Sequence, residues 1–169
     1  MKIESMQDLL LDQIKDLYDA EQRLVKALPD MAEAASSPEL RKAIQSHLQE
    51  TKGHVNRLER VFTALGEDAK AQTCAAMKGL IEEGKEVVSH IDESPLRDAG
   101  IIAAANRVEH YEMAAYGSAR TFAQTLGLED VATLLQETLE EEKKADATLT
   151  KLAEGKINER AMKASPGAK

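Results

Sequence analysis

A chain of 169 residues is long enough for one domain with a core of its own. Its net charge of −8 offers no basic stripe for phosphate, which argues against a nucleic-acid partner, and no apolar run approaches the roughly 18 to 20 residues of a membrane span. With 31% charged residues, 3% aromatic and no tryptophan, the composition fits helices closed by leucine, alanine and methionine, not a β-sandwich. The opening Met1-Lys2-Ile3-Glu4-Ser5 run has neither an apolar signal core nor twin arginines, so a cytoplasmic protein is expected. Cys74 has no cysteine to pair with and reads as a bystander whose thiol Lys70 and Lys78 would acidify slightly.

Helical periodicity runs through nearly the whole chain. The first helix opens near Ser5, with Asp8 three residues on, and carries Leu10, Ile14, Leu17, Tyr18, Leu24, Leu28 and Met31 in one stripe that also takes in Glu21; Pro29 is expected to bend its last turns. Ser37-Pro38-Glu39 supplies a cap, a proline at the first helical position and an acid in the first turn of the second helix. Its stripe is Ile44, Leu48, Thr51, Val55, Leu58, Val61, Phe62 and Leu65, and Gly66 stops it. His47, Glu50 and His54 line one edge. Residues 67–93 are too long for a hairpin turn and have an amphipathic pattern of their own, so they form a crossover with a short helix. Ser94-Pro95 starts the third long helix, with Ile101, Ile102, Ala105, Val108, Ala115, Tyr116, Ala119 and Phe122, and Gly127 closes it. The fourth runs from about Glu129 with Val131, Leu134, Leu135, Thr138, Ala145, Leu149 and Leu152. The predicted fold is all-α, a four-helix bundle of two hairpins over residues 1–155, with a flexible tail at 156–169.

Each long helix holds one glutamate at a matching height. Glu21 and Glu50 are 29 residues apart, as are Glu112 and Glu141, and the midpoints fall at Ala35/Ser36 and Leu126/Gly127, where the chain turns back. Each acid then lies ~22 Å from its turn, at 1.5 Å per residue, so the four can share one layer. Sliding the first hairpin by 91 residues places Glu21 on Glu112, Glu50 on Glu141, Leu10 on Ile101 and Leu58 on Leu149. A pseudo-twofold bundle follows, broken where His54 meets Ala145, His47 meets Thr138 and Tyr18 meets Glu109. Carboxylates gathered inside a bundle repel one another and lose hydration unless cations bind between them.

Any one of these acids could instead snorkel to solvent or pair with a lysine. It is the repetition under one register that favours a metal site. Glu109 and Glu112 form an i, i+3 pair suited to neighbouring ions, and His54, one turn after Glu50, is a candidate imidazole ligand. His47 is a weaker candidate, His110 lies off the stripe, and Tyr18, Tyr111 and Tyr116 read as core or cap residues. The run Glu140, Glu142, Lys143 and Lys144 reads mostly as a solvated face. The expected metal set is therefore Glu21, Glu50, Glu109, Glu112, Glu141 and His54.

The strings Tyr18-Asp19-Ala20-Glu21, His47-Leu48-Gln49-Glu50-Thr51, Val108-Glu109-His110-Tyr111-Glu112 and Glu137 to Lys143 resemble the YciE/YciF family of bacterial ferritin-like proteins, over all but the tail. The resemblance implies a ferritin-like bundle related to rubrerythrins, bacterial, linked to stress responses and often dimeric. The wider ferritin-like pattern pairs two glutamates with two Glu-x-x-His motifs. Here Gly53 and Lys144 stand where those histidines would be. A carboxylate-rich site favours two iron or manganese ions over zinc or copper. Glu50 and Glu141 would bridge them, Glu21 and Glu112 would cap one each, and oxygen or peroxide would be the substrate of a ferroxidase, peroxidase or catalase-like reaction. The alternative is a non-enzymatic bundle that binds metal or only makes contacts.

Overall fold

The computed structural model describes residues 2–164. Six α-helices follow in order, α1 (Met6–Ala34), α2 (Pro38–Leu65), α3 (Ala75–His90), α4 (Pro95–Thr125), α5 (Glu129–Leu152) and α6 (Asn158–Ala164), with a π turn at Ala153–Ile157 between the last two. The two hairpins turn at Ala35–Ser37 and at Leu126–Leu128, where the glutamate midpoints place them.

The starts are chemical. Ser5 Oγ accepts the Asp8 N–H at 3.0 Å and donates to the Asp8 carboxylate at 2.7 Å, while the Glu4 N–H reaches the same carboxylate at 3.1 Å, a reciprocal cap in which aspartate takes the usual glutamate's place. Ser37 and Ser94 cap α2 and α4 by accepting the N–H groups of Leu40 and Arg97, and a proline fills the first position of each helix. Gly66 ends α2 in the left-handed region at φ 72°, which glycine enters without steric cost. Helix α1 runs through Pro29 to Ala34.

The hairpins α1–α2 and α4–α5 pack side by side, α1 against α4 and α2 against α5, and α3 lies across α1 and α4. Close approach of α3 depends on Gly100 of α4, where a Cβ would stand 2.6 Å from Cγ1 of Val87. One end of the bundle is closed by Leu10, Ile14, Leu17, Leu58, Phe62 and Leu135, and the other by Leu40, Ile44, Ile101, Leu149 and Ile157. Full burial of each such side chain contributes ~1.5–3 kcal/mol. At the second end Asp98, 2% exposed, accepts hydrogen bonds from the Ser36 N–H, the Ser36 hydroxyl and the Ser37 N–H, each at 2.8 Å. The first residues of α4 thereby hold the α1–α2 turn.

Two expectations change. The tail foreseen from residue 156 continues as helix to Ala164, because Ile157 and Ala161, one turn apart, bury themselves against the bundle; residues 165–169 lie outside the described residues. Cys74 is fully buried at the start of α3, with its Sγ 3.1 Å from the Tyr111 hydroxyl. Burial pushes its thiol up, so the slight acidification expected from Lys70 and Lys78 does not occur. Among the described residues no helix is long and apolar enough to cross a membrane.

Candidate metal centre

Helix α2 buries Leu40, Ile44, His47, Thr51, His54, Leu58 and Val61, at alternating steps of four and three that keep one face inward. Both histidines fall on that face. Helix α5 follows the same rhythm through Val131, Leu135, Thr138, Glu142 and Leu149, so its inward acid is Glu142. Glu21 enters from α1 between Leu17 and Leu24, and Glu109 and Glu112 enter from α4 one turn apart. Six polar side chains from four helices thus meet between the two apolar ends.

They fall into two groups that share Glu142. In one, ligand atoms of His47, Glu109, Glu112 and Glu142 all lie within 4.8 Å of one another; in the other, those of Glu21, His54 and Glu142 do. His47 Nε2 is 3.2 Å from Glu109 and 3.8 Å from Glu142, and His54 Nδ1 is 2.9 Å from Glu142 and 3.3 Å from Glu21. These approaches are close, but they are not aligned as hydrogen bonds. Nine buried atoms, namely Glu21 Oε2, both nitrogens of His47, His54 Nδ1, Glu109 Oε2, both oxygens of Glu112 and both of Glu142, have no hydrogen-bond partner among the described residues.

The surroundings orient this cluster. The Tyr116 hydroxyl, fully buried, donates to Glu21 Oε1 at 2.5 Å. His54 Nε2 meets Glu141 at 2.8 Å, and Arg57 grips both oxygens of Glu141 at 2.9 and 3.1 Å. In the neutral imidazole, Nε2 donating to Glu141 leaves the lone pair of His54 on Nδ1, toward Glu21 and Glu142. Glu50 stands 3.6 Å behind Nδ1 of His47 in a similar way.

Burial raises the carboxyls of Glu109 and Glu112 well above the ordinary value, and the neighbouring charge of Glu142 adds to this. Glu21 moves in the same direction, also through burial. Desolvation pulls His54 down, but Glu142 and Glu21 outweigh it and lift the imidazole to about 11. His47 beside it holds Glu50 below the ordinary value despite partial burial. At Glu141 desolvation works upward and is overcome by Arg57 and His54, so its carboxyl is also lowered. Glu21, Glu109 and Glu112 therefore resist ionisation without a cation, whereas Glu50 and Glu141 do not.

Of the expected set, the structure brings Glu21, Glu109, Glu112 and His54 together. Glu50 and Glu141 lie outside both groups, with side chains 33% and 37% exposed, each behind a histidine. Glu142, read from the sequence as solvated, is 0% exposed and central; a strict step of three and four from Leu135 through Thr138 would have found it. His47 joins the cluster by the same rule on α2. His110 is exposed and meets Asp146 at 3.1 Å, as its place off the stripe suggests. Tyr18 and Tyr111 bond Glu59 and Asp16 away from the cluster.

Comparison with known proteins adds the following. The profile described as Domain of unknown function (DUF892) matches residues 5–162. Protein YciF of Escherichia coli is 42% identical over 162 residues, 95% of this chain and 98% of its own. The crystal structure of that stress protein superposes with a TM-score of 0.89, covering 92% of this chain and 99% of YciF. YcfI of Rhodopseudomonas palustris superposes at 0.86 with 42% identity, covering 88% and 95% of the two chains. A protein of Xanthomonas campestris, 19% identical, shares the fold at 0.71 over 91% of this chain and 94% of its own.

Proposed function

The chain belongs to the DUF892 family together with the YciF stress protein, and from that footing we propose that it holds a dinuclear iron or manganese centre that acts on oxygen or peroxide. The observation that carries the reading is the set of nine buried polar atoms that, among the described residues, have charged neighbours but no hydrogen-bond partner. Leaving one such atom unsatisfied costs ~1–3 kcal/mol, so nine would cost an amount comparable to the ~5–15 kcal/mol stability of a whole domain. Protons relieve only part of this cost, since a carboxylic acid still needs a partner for its O–H. Two divalent cations would balance the four carboxylates Glu21, Glu109, Glu112 and Glu142.

The donors suit that charge. Four carboxylates and two imidazoles equal the inventory of ferritin-like di-metal sites, although here both imidazoles come from α2 and no Glu-x-x-His motif is used. Such a set favours iron or manganese over softer ions. His47, Glu109 and Glu112 would hold one ion, Glu21 and His54 the other, and Glu142 would bridge in the place first expected for Glu50 and Glu141. A centre of this kind supplies paired Lewis acids with room for a shared small ligand. The protein's own part is to orient the donors: Tyr116 fixes Glu21, and Glu141 fixes the tautomer of His54. A stress role, a cytoplasmic location and a homodimer complete the proposal.

Glu142→Gln is expected to lose at least half of the bound iron or manganese, and oxygen or peroxide consumption by the loaded wild type should vanish with it. Full retention of two ions by Glu142→Gln overturns the assignment. Retained metal uptake by the wild type without turnover points instead to a bundle that only binds metal.

A further inference from the structure

Beside the cluster, toward the end closed by Leu149 and Ile157, the core is not filled. A cleft of about 600 Å³ opens there among α1 to α5. Leu28, Met31, Leu80, Ile81 and Leu152 line it and remain half-exposed, although each occupies the inward stripe of its helix. His47 and Glu109 also line it, so the cleft borders the cluster. Its lining includes one lysine each from α2, α3 and α5, namely Lys42, Lys85 and Lys144, against Asp30, Glu39 and the part-exposed Glu50. Lys85 pairs with Glu82, and Glu39 accepts the Ser37 hydroxyl, whereas Lys42 and Lys144 make no ion pair among the described residues.

The size lies within the ~300–1,000 Å³ of small-molecule sites, and a concavity walled by five helices suits a ligand better than a flat protein surface. A filled core would leave these apolar side chains dry, which is the favoured state of apolar surface. We propose that the cleft binds the hydrocarbon chain of a single-chain carboxylate amphiphile, with its head at Lys42 and Lys144 and its chain along the apolar walls beside Glu109. The apolar walls select the chain, and the ammonium groups of Lys42 and Lys144, the latter also facing the charge of Glu50, favour an anionic head over a neutral one. Binding stands on the cleft alone.

The test uses the full chain without metal, titrated with dodecanoate and with dodecanol by calorimetry. Dodecanoate should bind at one site per chain, and more tightly than dodecanol. Ala105→Phe, which places a ring in the cleft from α4, should weaken it by at least about tenfold; Ala43→Leu, filling it from α2, gives a second and milder reading should the first variant fold poorly. Lys42→Gln with Lys144→Gln should weaken dodecanoate and leave dodecanol unchanged. Absence of one-site binding by the wild type, or equal binding by both filled variants, overturns the proposal; equal affinity for acid and alcohol overturns the head-group assignment. Manganese uptake by Ala105→Phe should match the wild type, which separates the cleft from the centre. Dodecanoate binding by a wild type that takes up no manganese or iron would uphold the cleft while the metal reading fails.

Discussion

Glu141 holds the outer nitrogen of His54 at 2.8 Å, and so decides which face of that imidazole is free. The carboxylate is itself fixed by Arg57, in a bidentate pair at 2.9 and 3.1 Å that keeps it ionised beside a fully buried ring. A residue first expected between the ions would thus serve from behind one of the proposed ligands.

Glu141→Gln and Arg57→Met are therefore expected to weaken metal affinity by roughly 10–100-fold while leaving the stoichiometry at saturation unchanged. Titration calorimetry with manganese would show this as a shift in affinity at constant site number. Loss of a whole site in Glu141→Gln would make that residue a ligand after all.

Stability of the metal-free protein should fall as pH rises. Burial lifts Glu109, Glu112 and Glu21, and His54 reaches about 11, so the folded chain binds more protons than the unfolded one over this window. Their stabilisation is complete below the unfolded values and is lost upward through the folded ones. Glu50 and Glu141 have lowered values and act oppositely, losing their contribution only as pH falls through those values. Thermal melts in chelator should thus show Tm declining from about pH 5 to about pH 9, and bound manganese should remove most of the slope. A chelated protein whose Tm is flat across that range would contradict the buried charges.

Asp98→Ala removes three hydrogen bonds to the α1–α2 turn and leaves two N–H groups, a buried one at Ser37 and a part-buried one at Ser36, without that acceptor. A loss of about 2–4 kcal/mol is expected from the urea midpoint. A change under about 0.5 kcal/mol would show that the turn is held by packing alone.

Much of the frame could be read beforehand, because caps and turns are local chemistry. Ser5 with Asp8, Ser37-Pro38, Ser94-Pro95 and Gly66 each mark a helix end that the structure confirms. Glu21, Glu109 and Glu112 were found because they sit in strongly apolar stripes. Glu142 was missed for a geometric reason. The equal 29-residue spacing fixes height along the axis and not azimuth, and one residue's step turns a side chain by about 100°. The register that paired Glu50 with Glu141 thus chose the right layer and the wrong face, where Thr51 and Glu142 stand instead. Helix α6 escaped notice because Ile157 and Ala161 alone carry its inward face, too little for a periodic signal.

The bridging role of Glu142 is most directly tested by anomalous scattering from crystals of protein purified without added metal, collected at the iron and manganese edges. Two peaks are expected about 3.5–4 Å apart, one on each side of Glu142, with His47 and His54 on different ions. A single peak, or peaks coordinated by Glu50 and Glu141 with Glu142 unbound, would contradict it.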